Sequence, residues 1–481
     1  MSEVARLGGT VGALGLAILV AGPSRSWRLG GLIAWAAGCL ALAAWLAPSG
    51  HHRVFAAAAV LGVVVAIVLA WLFLRWPWLL AVAILACAPA RIPVSIVHPA
   101  ANLLVPMYVV VAAAAVVLVW EFFGDDERTR ELGALTWPVA AFVAWSGVAF
   151  LWSEDRRQGA IYLLFYFLPF GLLAVSLARL PWRTLGLKAI YVQLAGMGLV
   201  FALIGCVQYA TRNVYWNPKV QVDNAYAPSS WFYRVNSVFY DPSIYGRFLV
   251  VAILAGVVVM FFARRLVAWA ALVVLGITWL GLVPSFSQSS FVALGVGIVV
   301  AIAVLWGRPS FLPIAVALGV CVVAGLAVPQ LRHHVLGKAT SSRATDGRTK
   351  LVRNGIHLAL DHPLAGVGTG GFVIGYARLT HLHGKNPKAA ASHDTPITVA
   401  AELGLPGLAL FVWLVVVAFL VPFRIAVRAG PTVTRAAAFG FGLALVAIVT
   451  HSLFYDSLFE DPLFWSAFAL SAVVAREVAA P

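Results

Sequence analysis

Arginine and histidine side chains in the second half of this chain are grouped in a way that could handle phosphate and protons. In WFYRVNSVFYDPSIYGR, Arg234 and Arg247 lie on either side of an aromatic turn, and SFSQSS puts Gln288 at the start of an apolar run. Arg343, Arg348, Lys350 and Arg353 follow close together. ASHDTPITVAAELGLPG then places His393 immediately ahead of Asp394-Thr395-Pro396, a helix-starting sequence. A guanidinium is a planar fork of N–H donors that matches two phosphate oxygens, so converging arginines suit a diphosphate. A histidine can take the proton of an attacking hydroxyl. The implied arrangement is a cationic pocket beside one histidine.

The elements that must position these groups are membrane helices. Hydrophobic residues make up 62% of the chain and charged residues 11%, against roughly a quarter charged in soluble domains; mean hydropathy is +0.95. Apolar runs of about 20 residues match the hydrocarbon thickness of a bilayer, where the backbone must satisfy its own hydrogen bonds, and runs this long do so as helices. The short alternating strands of a barrel are not seen. The expected fold is all-α: a polytopic integral membrane protein with about fourteen transmembrane helices in one domain, residues 1–481, including runs at 54–75, 311–329 and 404–423. The stretch 76–93 is shorter and reads as a further span or a re-entrant piece. The N-terminal run reads as a first span, not a cleaved signal.

The net charge of +15 does not point to nucleic acid, because the 33 Lys and Arg are spread over many short connections. Arg179 and Arg183, Arg264 and Arg265, Arg308, then Arg424, Arg428 and Arg435 occupy alternate connections, which should be cytoplasmic. An aromatic loop at 210–244 and a long loop with short helices at 330–394 then share the extracytoplasmic face. The first holds Trp216, Tyr226, Trp231, Phe232, Tyr233, Phe239 and Tyr240, a density suited to the membrane interface or to sugar. The spans hold almost no ionisable residues away from their ends, unlike those of ion-coupled carriers. With polar groups at one outer rim, the arginines and histidine describe glycosyl transfer from a polyprenyl diphosphate, whose leaving diphosphate the arginines would stabilise.

Each of these residues also has a plainer reading. Arginines at a membrane rim often anchor to headgroups or snorkel, and that reading leads for Arg247, Arg343 and Arg353. His393 could simply flank a helix. The loop histidines His333, His334, His357, His362, His381 and His383 lack accompanying carboxylates or cysteines, so no metal site is expected. GVGTGG reads as a flexible turn, since the strand and lysine of a phosphate loop are missing. Cys39, Cys87, Cys206 and Cys321 lie in apolar segments and read as packing residues. Glu402 and Asp461 are expected to cap or to partner arginines, and Asp394 to orient His393.

Five segments in this order resemble the bacterial O-antigen ligase and polymerase superfamily of membrane glycosyltransferases, over roughly residues 200–476. They are Arg234 ahead of its Asp-Pro turn, SFSQSS, GRTKLVRNGIHLALDHPLAGVGTGGF, SHDTPITVAAELGLPG and HSLFYDSLFEDPLFW. The resemblance implies a metal-independent, cofactor-free enzyme of the GT-C type in the bacterial inner membrane. It would act on the outer face and invert the anomeric carbon as it moves a glycan from an undecaprenyl-diphosphate-like donor to a hydroxyl of a lipid or glycan acceptor. Arg234 and Arg348 match the family's donor arginines, and His393 its acceptor-activating histidine. Gln288, Asp394 and Ser243 stand where relatives carry Arg, Asn and Asn, so Arg247 or Arg343 would complete the diphosphate clamp; Gln288, Asp394, Tyr240 and Glu402 are supporting positions. A polymerase would need the same donor grip. A transporter or flippase of lipid-linked sugars is the alternative from another class, although no internal repeat favours it.

Overall fold

The computed structural model describes residues 2–47, 52–94, 101–124, 128–225, 232–306, 342–381, 392–427 and 432–479. The span expected at 311–329 lies outside the described residues, as do Tyr226, Trp231, Arg308, Cys321, His333, His334, His383 and Arg428. So do the side chains of Arg343 and Arg348.

The described chain is helical apart from one antiparallel pair of three-residue strands, Ile92–Val94 with Ala101–Leu103. Its helices are α1 Ser2–Ala21, α2 Arg25–Leu46, α3 His52–Arg75, α4 Leu79–Cys87, α5 Val105–Phe123, α6 Thr136–Ala149 and α7 Arg156–Ala178. There follow α8 Leu187–Thr211, α9 Pro218–Ala225, α10 Pro242–Phe262, α11 Arg265–Leu282 and α12 Gln288–Trp306. The last are α13 Ser342–Asp361, α14 Phe372–Leu379, α15 Thr395–Val427, α16 Thr432–Ser452 and α17 Pro462–Ala479. Among the described residues, twelve helical segments are long and apolar enough to cross a bilayer, so the fold is that of an all-α polytopic membrane protein. The apolar stretch 76–93 forms the nine-residue α4 and then enters the strand pair. It runs from Trp78, packed on Gly186, to Arg91, which pairs with Glu460 at 2.9 Å.

With hydrocarbon outside and inside alike, these helices associate by close contact and by internal polar bonds. Gly12, Gly15, Gly31 and Gly38 let the backbones of α1 and α2 touch. Some hydroxyls inside the spans return to their own helix, as Ser146 does to Phe142 O at 2.8 Å, while others cross to a neighbour, as Thr10 of α1 does to Gly147 O of α6 at 2.8 Å.

One span is interrupted, and the interruption organises one rim of the bundle. In α15 the backbone leaves helical geometry at Gly404, with φ 69° and ψ −175°, followed by Pro406. Carbonyls ahead of the break lose helical donors, and in an apolar surrounding each needs another. The segment 363–372 supplies most of them. Val367 N–H donates to Ala401 O and Gly368 N–H to Glu402 O, each at 2.9 Å, while Leu405 N–H donates to Pro363 O at 2.7 Å. Trp145 Nε1 donates to Leu403 O at 2.9 Å. The Glu402 carboxylate accepts from Gly370 N–H at 2.9 Å and Phe372 N–H at 3.2 Å, which caps α14.

The GVGTGG segment is therefore not the flexible turn its composition suggests. Residues 366–372 are all buried. A flexible reading follows from glycine content alone; here the glycines are needed because the turn threads between other backbones. Gly368, at φ 83°, would drive a Cβ into the backbone of Ser153, and Gly366, at φ 62°, into that of Glu402.

Gly368→Ala should destabilise the protein by about 3 kcal/mol or more, combining left-handed strain with overpacking. Gly196→Ala on α8, where nothing lies within 4 Å, is the control expected to be neutral. Thermal inactivation of the two purified variants, followed by size-exclusion chromatography, checks the difference.

Candidate functional site

The rim begins at Arg234, whose backbone N–H and C=O are both held by the Asn224 side chain, at 2.9 and 3.1 Å. Its Nε–H donates to Ser285 O at 3.1 Å, joining the aromatic loop to the serine-rich turn. In that turn Ser287 Oγ lies 3.1 Å from Ser289 Oγ and 2.8 Å from Ser290 Oγ, and Ser289 Oγ lies 2.9 Å from His451 Nε2. Buried hydroxyls bond each other, while Gln288, the first residue of α12, faces outward and is exposed. Tyr240 packs edge-on against Trp216, with ring centroids 5.6 Å apart. Asp241 caps α10 by accepting from Ser243 N–H at 2.6 Å.

Arg247, one turn into α10, is neither a headgroup anchor nor a snorkelling side chain. It is 2% exposed, its Nε lies 2.9 Å from Asp461 Oδ2, and its Nη1 donates to Ser457 Oγ at 2.7 Å. A fully enclosed guanidinium this far inside a bilayer protein requires such a partner. The pair ties α10 to the turn 453–461, and Asp461 thereby meets the expectation of an arginine partner.

That turn reaches the beginning of α15. Asp456 accepts from Thr395 Oγ1 at 2.8 Å and from Thr398 Oγ1 at 2.7 Å. Burial pushes the Asp456 carboxyl up to about 6, although the two threonine donors pull the other way. His393, half-buried, takes left-handed backbone geometry at φ 61°, turning the chain into the helix. Asp394 caps α15, accepting from Ile397 N–H at 3.1 Å, and burial raises its pKa. Beneath lies a cavity of about 50 Å³ lined by Thr369, Thr395, Thr398, Glu402, Asp456 and Glu460, with space for water.

Arg234 and His393, far apart in sequence, thus stand at two ends of one run of contacts on one membrane face. The run passes from Arg234 through the serine turn to His451, continues along the chain to Asp456 and its bond with Thr395, and is braced by Arg247 from Ser457 and Asp461. The helix carrying Arg343 and Arg348 also comes here: α13 packs on the first turns of α15, with Leu351, Leu358 and Ala401 in one buried cluster and Gly355 against Ile397. Glu402 serves the buried turn and not an arginine. His451, Asp456 and Glu460 lie in HSLFYDSLFEDPLFW, which carries part of the resemblance without a role assigned to any of the three, and Arg91 is not singled out by the sequence.

The segment that holds most of these parts also has known relatives. Residues 271–412 match the O-antigen ligase family. The matched span runs from α11 through the serine turn, α13, the buried glycine turn and the first half of α15, and so includes Arg348, His393 and Glu402. No curated protein matches the chain. Over this span the chain is similar to the O-antigen ligase family. The matched segment lies within a described chain that has twelve helices long and apolar enough to cross a membrane.

Two predictions follow from the buried charges. Arg247→Met should cost about 3 to 5 kcal/mol by stranding Asp461, and Arg247→Met combined with Asp461→Leu should recover most of it; melting in detergent reads both. Asp456 holds its proton more tightly folded than unfolded, so its favourable contribution is complete below about pH 4 and is lost as pH rises through about 6. The melting advantage of wild type over Asp456→Asn should therefore shrink across that window, by on the order of 3 kcal/mol.

Proposed function

We propose that this protein transfers a glycan from a polyprenyl-diphosphate donor to a hydroxyl on a lipid or polysaccharide acceptor, at the outer face of the inner membrane. The acceptor oxygen attacks the anomeric carbon, and His393 takes its proton. The bond from that carbon to the diphosphate oxygen breaks, and the polyprenyl diphosphate departs with the electron pair. Attack from the opposite side inverts the anomeric centre. Arg234 and Arg348 hold the diphosphate and stabilise its growing charge, in the manner of a GT-C enzyme that needs no metal.

The observation that carries this reading is the run of contacts from Arg234 to the turn bearing His393. A base and a phosphate-binding arginine must share one site to act on one bond, and the hydrogen bonds of Arg234 and of Thr395, two residues after His393, both lead to the chain segment 451–456. The left-handed backbone at His393 supports it further, because non-glycine residues in such geometry concentrate at functional sites.

Purified protein given a lipid-linked oligosaccharide and a hydroxyl acceptor should form the new glycosidic bond in the presence of EDTA. His393→Ala should lower turnover by about 10² to 10⁴-fold with donor binding retained. Arg234→Ala should weaken donor binding and turnover together. Full activity in His393→Ala, a strict need for added Mg²⁺ or Mn²⁺, or donor translocation without bond formation would each overturn the assignment.

A further inference from the structure

Helix α13 divides its surface three ways. Leu351, Leu358 and Ala359 are buried in one cluster with Phe372 and Tyr376 of α14 and Ala400 and Ala401 of α15. Lys350, Arg353, His357 and Asp361, spaced three and four residues apart, form an exposed polar face. Between these faces runs an apolar flank: Ile356 is 46% exposed, Leu360 64%, and Leu364, just beyond the helix end, 74%. Single exposed leucines are ordinary, but a row of large apolar side chains four residues apart on one flank marks a surface that meets something apolar.

Hydrogen bonds fix the depth of this flank. Leu405 N–H donates to Pro363 O at 2.7 Å, and Trp152 Nε1 donates to Ala365 O at 2.9 Å. Trp152 is the last residue of one candidate membrane span, Gly133–Trp152. Leu405 follows the break in α15, another such span, and from there its exposed side is apolar, with Leu405, Val412, Trp413, Val416 and Leu420. Leu364 is thus held between the ends of two spans, beside an indole ring of the kind that suits the boundary between hydrocarbon and headgroups.

We propose that Ile356, Leu360 and Leu364 enter the edge of the hydrocarbon layer, so that α13 rests on protein along one face and on the membrane surface along another. A helix lying in the interface combines an apolar strip with cationic side chains at headgroup level, and Arg353, three residues before Ile356, borders the strip here. The occupant is lipid because the flank runs directly into the exposed side of α15; a soluble partner would have to cover a bilayer-facing span to reach it. The contact sets the height of α13, which carries Arg343 and Arg348, against the headgroups. It does not depend on the reaction proposed above.

The experiment uses the full chain in nanodiscs of phosphatidylethanolamine and phosphatidylglycerol, with the photoreactive p-benzoylphenylalanine replacing Leu360, Leu364 or His357 one at a time. Irradiation followed by intact mass measurement should give phospholipid adducts at 360 and 364 and few at 357. A second measurement, hydrogen exchange in the same nanodiscs, should find the α13 amides exchanging about tenfold faster when Leu360→Asp and Leu364→Asp are combined, as two leucines leave the hydrocarbon. Equal lipid adducts at all three positions, attachment to a second copy of the chain, absence of adducts at 360 and 364, or unchanged exchange in the double variant would overturn the proposal.

Discussion

The broken helix at Gly404 is the constraint on which the outer rim depends. A span that stops hydrogen bonding to itself inside an apolar medium leaves carbonyls that water cannot reach. Their donors come from Val367, Gly368 and Trp145, and the Glu402 side chain is used to hold the same turn from the other direction. The arrangement is reciprocal: the turn satisfies the break, and the break satisfies the turn. Because both partners are buried, neither can move without stranding the other, so the first half of α15 is fixed relative to α6 and α14. His393 and Asp394 begin that half-helix, and their placement is inherited from it.

Charge at the rim is handled in two distinct ways. Arg247 and Asp461 are enclosed and matched, and what they provide is position: the turn 453–461 is tied to α10 and brings Asp456 to Thr395 and Thr398. Arg234 is held at its backbone by Asn224, and its Nε–H donates to Ser285 O. Gln288, at the mouth of the serine turn, is exposed. The rim thus locks one guanidinium by a carboxylate and holds the other, half-buried, chiefly through its backbone.

Much of this was legible in the sequence because membrane spans obey a one-dimensional rule. Length and hydropathy gave the helices, and the alternation of basic connections put the serine turn, the long loop and the 456–460 turn on one face, as the contacts among them bear out. The expected start of a span at residue 404 falls on the break itself, since Gly404 and Pro406 announce it, yet what fills the break is invisible locally. Whether a glycine-rich turn is loose or clamped depends on which backbone lies 2.9 Å away, and for Gly368 that is Glu402. The same limit applies to Arg247. Its partner is more than two hundred residues distant, and local hydropathy sees only a cation near a helix end.

Polar groups gather at both ends of α17, and the two gatherings differ in a way that bears on how such a protein divides its work. At the inner end of α17, Arg28, Arg179 and Glu131 are buried together, with Phe122 beneath both guanidinium groups at 5.4 and 5.3 Å. Charges packed this way contribute little to stability beyond offsetting their own desolvation, but they tolerate few alternative arrangements. The outer end instead has a small acidic cavity, a half-buried histidine and an exposed glutamine at the mouth of the serine turn. Helices α7 and α17 connect the two, so the rigid centre sets the register of the helices whose outer ends frame the site. A single long helix can then carry a demanding polar cluster at one end and a more open polar rim at the other without either compromising the apolar packing between them.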